Sequence, residues 1–349
     1  MTGLNREWIL SSRPSGSARP EDFTMRDTEV PDADSLSPGQ ILVRHSVFLH
    51  APTMRNWMDA PGNNYYPSVD LGAPMLATSG GDVVASADER FPVGMRVTTI
   101  GFWQEYSVID ATVMPVRPVR DDMTLVEAMG PVGMNALTAY MGMIEVGQAK
   151  EGETVVVSGA AGSTGSVAGQ IARILGCRVI GIAGSSQKCG YLTSELGFDA
   201  AIDYRTEDVR ARMAELAPGG IDVFFDNVGG AILQAAVENI AKFGRIVLCG
   251  QISGYDASTP VPGPSNMMRL VYGSVRMQGF LLGDYEAKIP AARDQLWEWV
   301  ASGRLRHRED VREGFENLPA TFGDLSRGAN EGTLLVVTDE ERAFHRPTA

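Results

Sequence analysis

A strand, a glycine loop and a helix follow one another without a break in the middle of this chain. Thr154-Val155-Val156-Val157-Ser158 is a continuous apolar strand, of the kind buried on both faces. Gly159-Ala160-Ala161-Gly162-Ser163-Thr164-Gly165 follows at once, and a helical stretch runs from Ser166 to Leu175. Glycines let a backbone approach a pyrophosphate, and a helix start offers amide donors and a positive dipole end. Taken alone, the loop also reads as an ordinary tight turn. The strand before it and the helix after it favour a dinucleotide site.

The stretch after the second strand bears on which dinucleotide. NAD sites place an Asp or Glu about 20 residues beyond the loop. Here that stretch is Ala183-Gly184-Ser185-Ser186-Gln187-Lys188, with a lysine and no acid. A carboxylate would repel a 2′-phosphate, whereas a small polar loop with a lysine would accept it. The expected cofactor is NADP(H), although Lys188 alone also reads as a solvated helix-start lysine.

The surrounding pattern predicts an α/β chain of two domains. Up to about residue 125 the chain reads as short strands with Pro, Gly and Asp punctuation, including 40–47, 81–86 and 95–100, which suggests a barrel or sandwich. Beyond it, strands at 154–158, 178–183, 200–204, 223–226 and 245–249 alternate with helical stretches. Helices are expected over 128–144 and 188–196. Such alternation predicts a doubly wound parallel sheet. The strand-like 333–337 returns to the first domain. The expected division is 1–128, rejoined by 312–349, and 129–311.

Composition excludes other classes. The chain has 349 residues, with 30 Lys and Arg against 43 Asp and Glu, for a net charge of −13. Such an acidic surface repels nucleic-acid phosphates and anionic lipid. No apolar run reaches the roughly 18 residues of a membrane span, and the Trp8-Ile9-Leu10 patch is too short for a signal peptide. Cys177, Cys189 and Cys249 are an odd number in a long chain, which fits a reducing cytoplasm rather than a disulfide framework.

Several further segments carry a resemblance: Asn5-Arg6-Glu7-Trp8 with Ser12-Arg13-Pro14, Met54-Arg55-Asn56-Trp57-Met58, Trp103-Gln104-Glu105-Tyr106, Leu137-Thr138-Ala139-Tyr140, Asp226-Asn227-Val228-Gly229-Gly230, Phe243-Gly244-Arg245-Ile246 and Arg276-Met277-Gln278-Gly279-Phe280. Together they make the chain similar, over nearly its whole length, to the medium-chain dehydrogenase/reductase superfamily. The likeness is strongest to the zinc-independent branch of prostaglandin, alkenal double-bond and curcumin reductases. It implies a GroES-like β-barrel domain and a Rossmann domain, with the site in the cleft between them.

By motif position, the resemblance places Gly162, Ser163, Thr164 and Gly165 on the pyrophosphate, and Lys188 and Tyr204 on the 2′-phosphate. It lines the cofactor with Asn227, Cys249, Ile252, Ser253 and Tyr255. Met134, Thr138, Phe280, Leu282 and Asn330 fall near the nicotinamide half. Tyr272 takes the place of the active-site tyrosine, though by itself it reads as readily as a packing aromatic. Tyr65, Tyr66 and Tyr255 join Tyr272 as candidate substrate contacts. Two departures stand out. The family usually reads Gly-Met-Pro-Gly where this chain has Gly133-Met134-Asn135-Ala136, and Asp-Pro before Met-Arg where this chain has Pro52-Thr53.

No metal is expected. The first 176 residues hold no cysteine, so nothing there completes a tetrahedral zinc set with His45 or His50. Without a Lewis acid, chemistry shifts from alcohol oxidation toward hydride addition to an activated C=C bond. The expected activity is NADPH-dependent reduction of α,β-unsaturated ketones or aldehydes, with Tyr272 donating to the developing enolate. A quinone oxidoreductase on the same scaffold and a non-catalytic NADPH-binding scaffold or sensor remain as alternatives. The partners implied are a small-molecule enone or enal and a second copy of the chain.

Overall fold

The computed structural model describes residues 3–62, 68–257, 259 and 261–345. In chain order the strands and helices are β1 (Leu4–Leu10), β2 (Phe23–Glu29), β3 (Gln40–His50), α1 (Met54–Trp57), β4 (Leu76–Ser86), β5 (Arg96–Phe102), β6 (Tyr106–Asp110), β7 (Val116–Pro118) and α2 (Leu125–Met129). Then come α3 (Met134–Met141), β8 (Thr154–Val157), α4 (Ser163–Ile174), β9 (Arg178–Ala183), α5 (Ser186–Gly190), β10 (Ala200–Asp203), α6 (Val209–Leu216), β11 (Ile221–Asp226), α7 (Gly230–Asn239) and β12 (Ile240–Leu248). The chain ends through α8 (Ile252–Tyr255), α9 (Met268–Gly273), β13 (Arg276–Gly279), α10 (Ile289–Ala301), β14 (Glu309–Glu313), α11 (Leu318–Ser326), β15 (Thr333–Val337) and α12 (Glu340–Phe344).

Two compact units form. One holds residues 1–129 and 309–349, the other residues 130–308. In the first, β3 is the central strand and pairs antiparallel with β4, β6 and β15. That pairing brings the C-terminal strand back onto residues 47–50, a contact across nearly the whole sequence. Leu10, Phe48, Trp103, Phe315 and Phe322 fill the core beneath it. His45 and His50 are buried in this unit. The His45 Nε2 lies 2.7 Å from Ser107 Oγ, and the His50 Nε2 lies 3.0 Å from the Leu318 carbonyl. The His50 ring packs edge-on to Phe322 and tilted against Trp103.

The second unit is a six-stranded sheet in the order β10-β9-β8-β11-β12-β13, every pair parallel. Its central strands read Val, Ile and Phe at nearly every position because helices cover both faces. Connections reverse direction between β8 and β11, the topological switch point where ligands bind such sheets. One expected helix is broken and another is wound differently along its length. The stretch 128–144 divides at Gly130-Pro131 into α2 and α3, because proline disfavours helix in the residue before it. The stretch 188–196 is helical as expected, α5 running on into a more widely wound helical turn over 191–195.

Burial disfavours the charged imidazole, so the His50 pKa falls to about 4 and that of His45 to about 3. An unfolded histidine takes a proton near pH 6.5. The stability these residues contribute is therefore present above pH 6.5 and is lost as pH falls toward 4. For His50 alone, moving from pH 7 to pH 5 should cost about 2 kcal/mol. Urea unfolding of His50→Gln, which cannot take up this proton, should show a pH dependence shallower by that amount.

Candidate active site

The carboxyl ends of β8, β11 and β12 meet around one buried carboxylate. Asp226 ends β11 and is fully buried. One of its oxygens accepts from Ser158 Oγ at 2.8 Å and from the Val228 N–H at 3.1 Å, and both accept from the Gly229 N–H at 3.0 and 3.1 Å. Its backbone carbonyl takes the N–H groups of Cys249 and Gly250, just past β12. Burial raises the Asp226 pKa, and the hydrogen bonds oppose that rise. Ser158 Oγ accepts the Asn227 N–H at 2.8 Å, and Asn227 Nδ2 donates to the Ser158 carbonyl at 2.7 Å.

The glycine loop stands at the end of β8. Gly162 is the N-cap of α4 and, lacking a side chain, cannot cap the first-turn amides itself. The helix opens at Ser163, three residues earlier than the pattern indicated. Gly165 is where helix and loop touch. A Cβ there would lie 2.3 Å from the Gly159 carbonyl oxygen and 2.9 Å from Ala160 Cα. Both obstacles are backbone, so only glycine permits this approach. Ser163 and Thr164 stand half-buried between the two glycines.

At the neighbouring strand ends, Ser185 caps α5 by accepting the Lys188 N–H at 3.2 Å. The Tyr204 ring lies over Gly184, where a Cβ would come within 2.8 Å of it, and the ring is 46% exposed. The Arg205 guanidinium stacks on that ring, 5.8 Å from its centroid. No carboxylate stands in the turn residues Gly184 and Ser185 after β9.

Beyond β12, the Ile252 N–H donates to the Asn227 carbonyl, and Ser253 Oγ donates to the Val228 carbonyl at 2.6 Å. The Tyr255 hydroxyl accepts the Gln251 N–H at 3.3 Å, and burial raises the phenol pKa. Burial pushes the Cys249 thiol up to about 12. Thr138 Oγ1 donates to the Met134 carbonyl within α3, at 2.8 Å. Phe280 and Phe225 pack against Gly142, and Leu282 opens the turn after Phe280.

Gly162 to Gly165, Asn227, Cys249, Ile252, Ser253 and Tyr255 thus gather at the switch point, with Lys188 and Tyr204 at the adjoining strand ends. Two candidates lie elsewhere, Asn330 and Tyr272. Asn330 belongs to the first unit, where its Nδ2 donates to the Gly332 carbonyl at 2.8 Å. Tyr65 and Tyr66 fall outside the described residues. Tyr272 is 79% exposed on α9, which leads into the start of β13. Gly273 beside it lies near Ala241, at the start of β12. Tyr272 is therefore at the amino end of the sheet, and the glycine loop is at the carboxyl end. Asp226 and Ser158 belong to this cluster, and motif reading left them out. The Ser158 and Asp226 positions, each closing an apolar strand, were the available signal.

Two family models match the chain, "N-terminal domain of oxidoreductase" over residues 6–116 and "Zinc-binding dehydrogenase" over residues 163–302. The NADPH-dependent curcumin reductase of Escherichia coli is 35% identical over 341 residues, covering 95% of this chain and 96% of the relative. Prostaglandin reductase 1 of Bos taurus is 36% identical over 337 residues, covering 95% and 98%. The crystal structure of CurA in complex with NADPH, from Vibrio vulnificus, superposes with a TM-score of 0.88 at 34% identity, covering 96% and 99%. The chain belongs to the medium-chain dehydrogenase/reductase family. Within this family it falls in the zinc-independent reductase branch, and its two units are the GroES-like and Rossmann domains.

The name of the second family model mentions zinc, which the donor set here does not fit. Among the described residues no three His, Cys, Asp or Glu side chains gather as a metal cluster would require, and all three cysteines lie in the Rossmann domain. No helix among those residues is long and apolar enough to cross a membrane.

Gly165→Ala tests the loop packing directly. The added methyl meets backbone on two sides, so the variant should lose about 2–3 kcal/mol in urea unfolding, the cost of overpacking a tight contact.

Proposed function

We propose that this chain reduces the C=C bond of α,β-unsaturated ketones and aldehydes, including bulky aromatic ones, without a metal and with a tyrosine donor. It is an NADP(H)-dependent oxidoreductase. The observation that carries the reading is the crevice at the switch point. It joins a glycine loop of closest approach to a turn free of acid and flanked by Lys188 and Tyr204, in a chain over a third identical to an NADPH-dependent curcumin reductase.

The residues present fit the cofactor. Gly165 packs tightly on the loop and Gly162 caps α4 without a side chain, so a pyrophosphate would be held by residues 162–165 at the helix start. Lys188 and Tyr204 would take the 2′-phosphate. Asn227, Cys249, Ile252, Ser253 and Tyr255 would line the crevice. Met134, Thr138, Phe280 and Leu282 would flank the nicotinamide half. When bound, NADPH supplies the hydride that the β-carbon of an enone accepts.

The protein's own task is the charge that then grows on the substrate oxygen. A neutral phenol, with an ordinary pKa near 10, donates a hydrogen bond to that oxygen more strongly in the transition state than in the ground state. The same phenol can return a proton to the α-carbon. Tyr272 is our assignment for this donor. Its place at the amino end of the sheet implies how it reaches a site. The strand β13 is the sheet edge, and Met268, Val271 and Phe243 are exposed beside it. A two-fold axis there pairs β13 antiparallel with its copy. That pairing carries Tyr272 to the carboxyl end of the partner's β13, so the working form is a homodimer. A second reading gives the donor role to Tyr255, whose hydroxyl already stands at the crevice.

The test is NADPH consumption on enones, saturated ketones and quinones. Enone-selective turnover is expected, falling about 10²-fold in Tyr272→Phe. A comparable fall confined to Tyr255→Phe would move the donor role there. Preference for quinones would favour a quinone reductase, and tight NADPH binding without turnover would favour a scaffold or sensor. Mixed dimers supply a second test. Tyr272→Phe mixed with a Gly165→Ala chain should show activity well above that of either homodimer, because one intact loop then meets one intact tyrosine. If the tyrosine serves its own subunit, the mixture stays inactive.

A further inference from the structure

The departure from Gly-Met-Pro-Gly has a structural counterpart. Asn135, in the first turn of α3, stands where the family usually keeps proline. Its Nδ2 donates to Ser163 Oγ, the first residue of α4, at 3.0 Å. Both helices have a glycine N-cap, Gly133 and Gly162, so neither caps itself with its own N-cap side chain. Asparagine elsewhere serves as a helix's own cap. Here its amide reaches across 28 residues of sequence to the other helix. A proline at this position has no donor to offer.

The electrostatics give the bridge a purpose. Each helix start carries about half a positive charge, and like ends repel. A neutral amide-to-hydroxyl bond holds the two starts together without adding charge of its own. The first turn of α4 holds the phosphate loop. The first turn of α3 holds Met134, and Thr138 hydrogen-bonds back to the Met134 carbonyl.

We propose that Asn135 is a positioning residue. Its bond to Ser163 sets α3, with Met134 and Thr138, in register with the phosphate loop, so that both halves of one NADPH molecule are met at once. This rests on the cofactor reading above.

The experiment measures binding to the whole protein by fluorescence titration, with two probes: NADPH and 2′-phospho-AMP, the adenosine half alone. Asn135→Ala should weaken NADPH about five- to tenfold, the range of one hydrogen bond, and leave 2′-phospho-AMP within about twofold. The double variant Asn135→Ala with Ser163→Ala should be no weaker than Ser163→Ala alone, because the second change removes a bond already lost. A lower melting temperature in Asn135→Ala with an unchanged ratio of the two affinities would make the bond structural only and overturn the proposal. Additive losses in the double variant would overturn it too. If the wild type binds 2′-phospho-AMP and NADPH equally poorly, the cofactor reading itself fails, and this inference with it.

Discussion

Much of the Rossmann domain is organised by one buried carboxylate. An ionised group out of water is costly unless it is fully hydrogen-bonded. Asp226 meets that condition through Ser158 and the N–H groups of Val228 and Gly229. In doing so it joins the end of β8 to the end of β11. Its carbonyl joins both to the turn after β12. The ends of β8, β11 and β12 are therefore tied together at the switch point by a polar network. Asn227, Ser253 and Tyr255 are placed as extensions of that network.

A second constraint is electrostatic. The chain carries a net charge of −13, and its cofactor is an anion. Attraction has to be local. Helix starts and backbone amides are groups suited to supply it, and the turn after β9 carries no carboxylate. Lys188 and the Arg205 guanidinium stacked on Tyr204 place positive charge at that turn. The GroES-like domain solves a different problem with buried neutral groups. His45 and His50 stay uncharged because burial makes their protonation costly, which ties the stability of that domain to pH.

Much of the site could be read from the chain because its parts are local. The strand, loop and helix at 154–175 are contiguous, and the missing acid after β9 is a matter of position along the chain. The strand boundaries at 178–183 and 333–337 agree with the pattern to the residue. The break in the helical stretch 128–144 is harder to see. Alternating apolar residues run on through Gly130-Pro131, and the break lies in backbone sterics rather than in hydropathy.

The sequence by itself determined the cofactor class, the parallel sheet and the family, because each depends on short runs whose chemistry is complete within them. Tertiary structure alone decided three things. It put Tyr272 at the amino end of the sheet, since parallel pairing of β13 with β12 sets which end α9 enters. It bonded Asn135 to Ser163, since only packing of α3 on α4 brings the two residues within reach. And it made Asp226 a hub, since a carboxylate that closes a strand becomes a hub only when other strands end beside it.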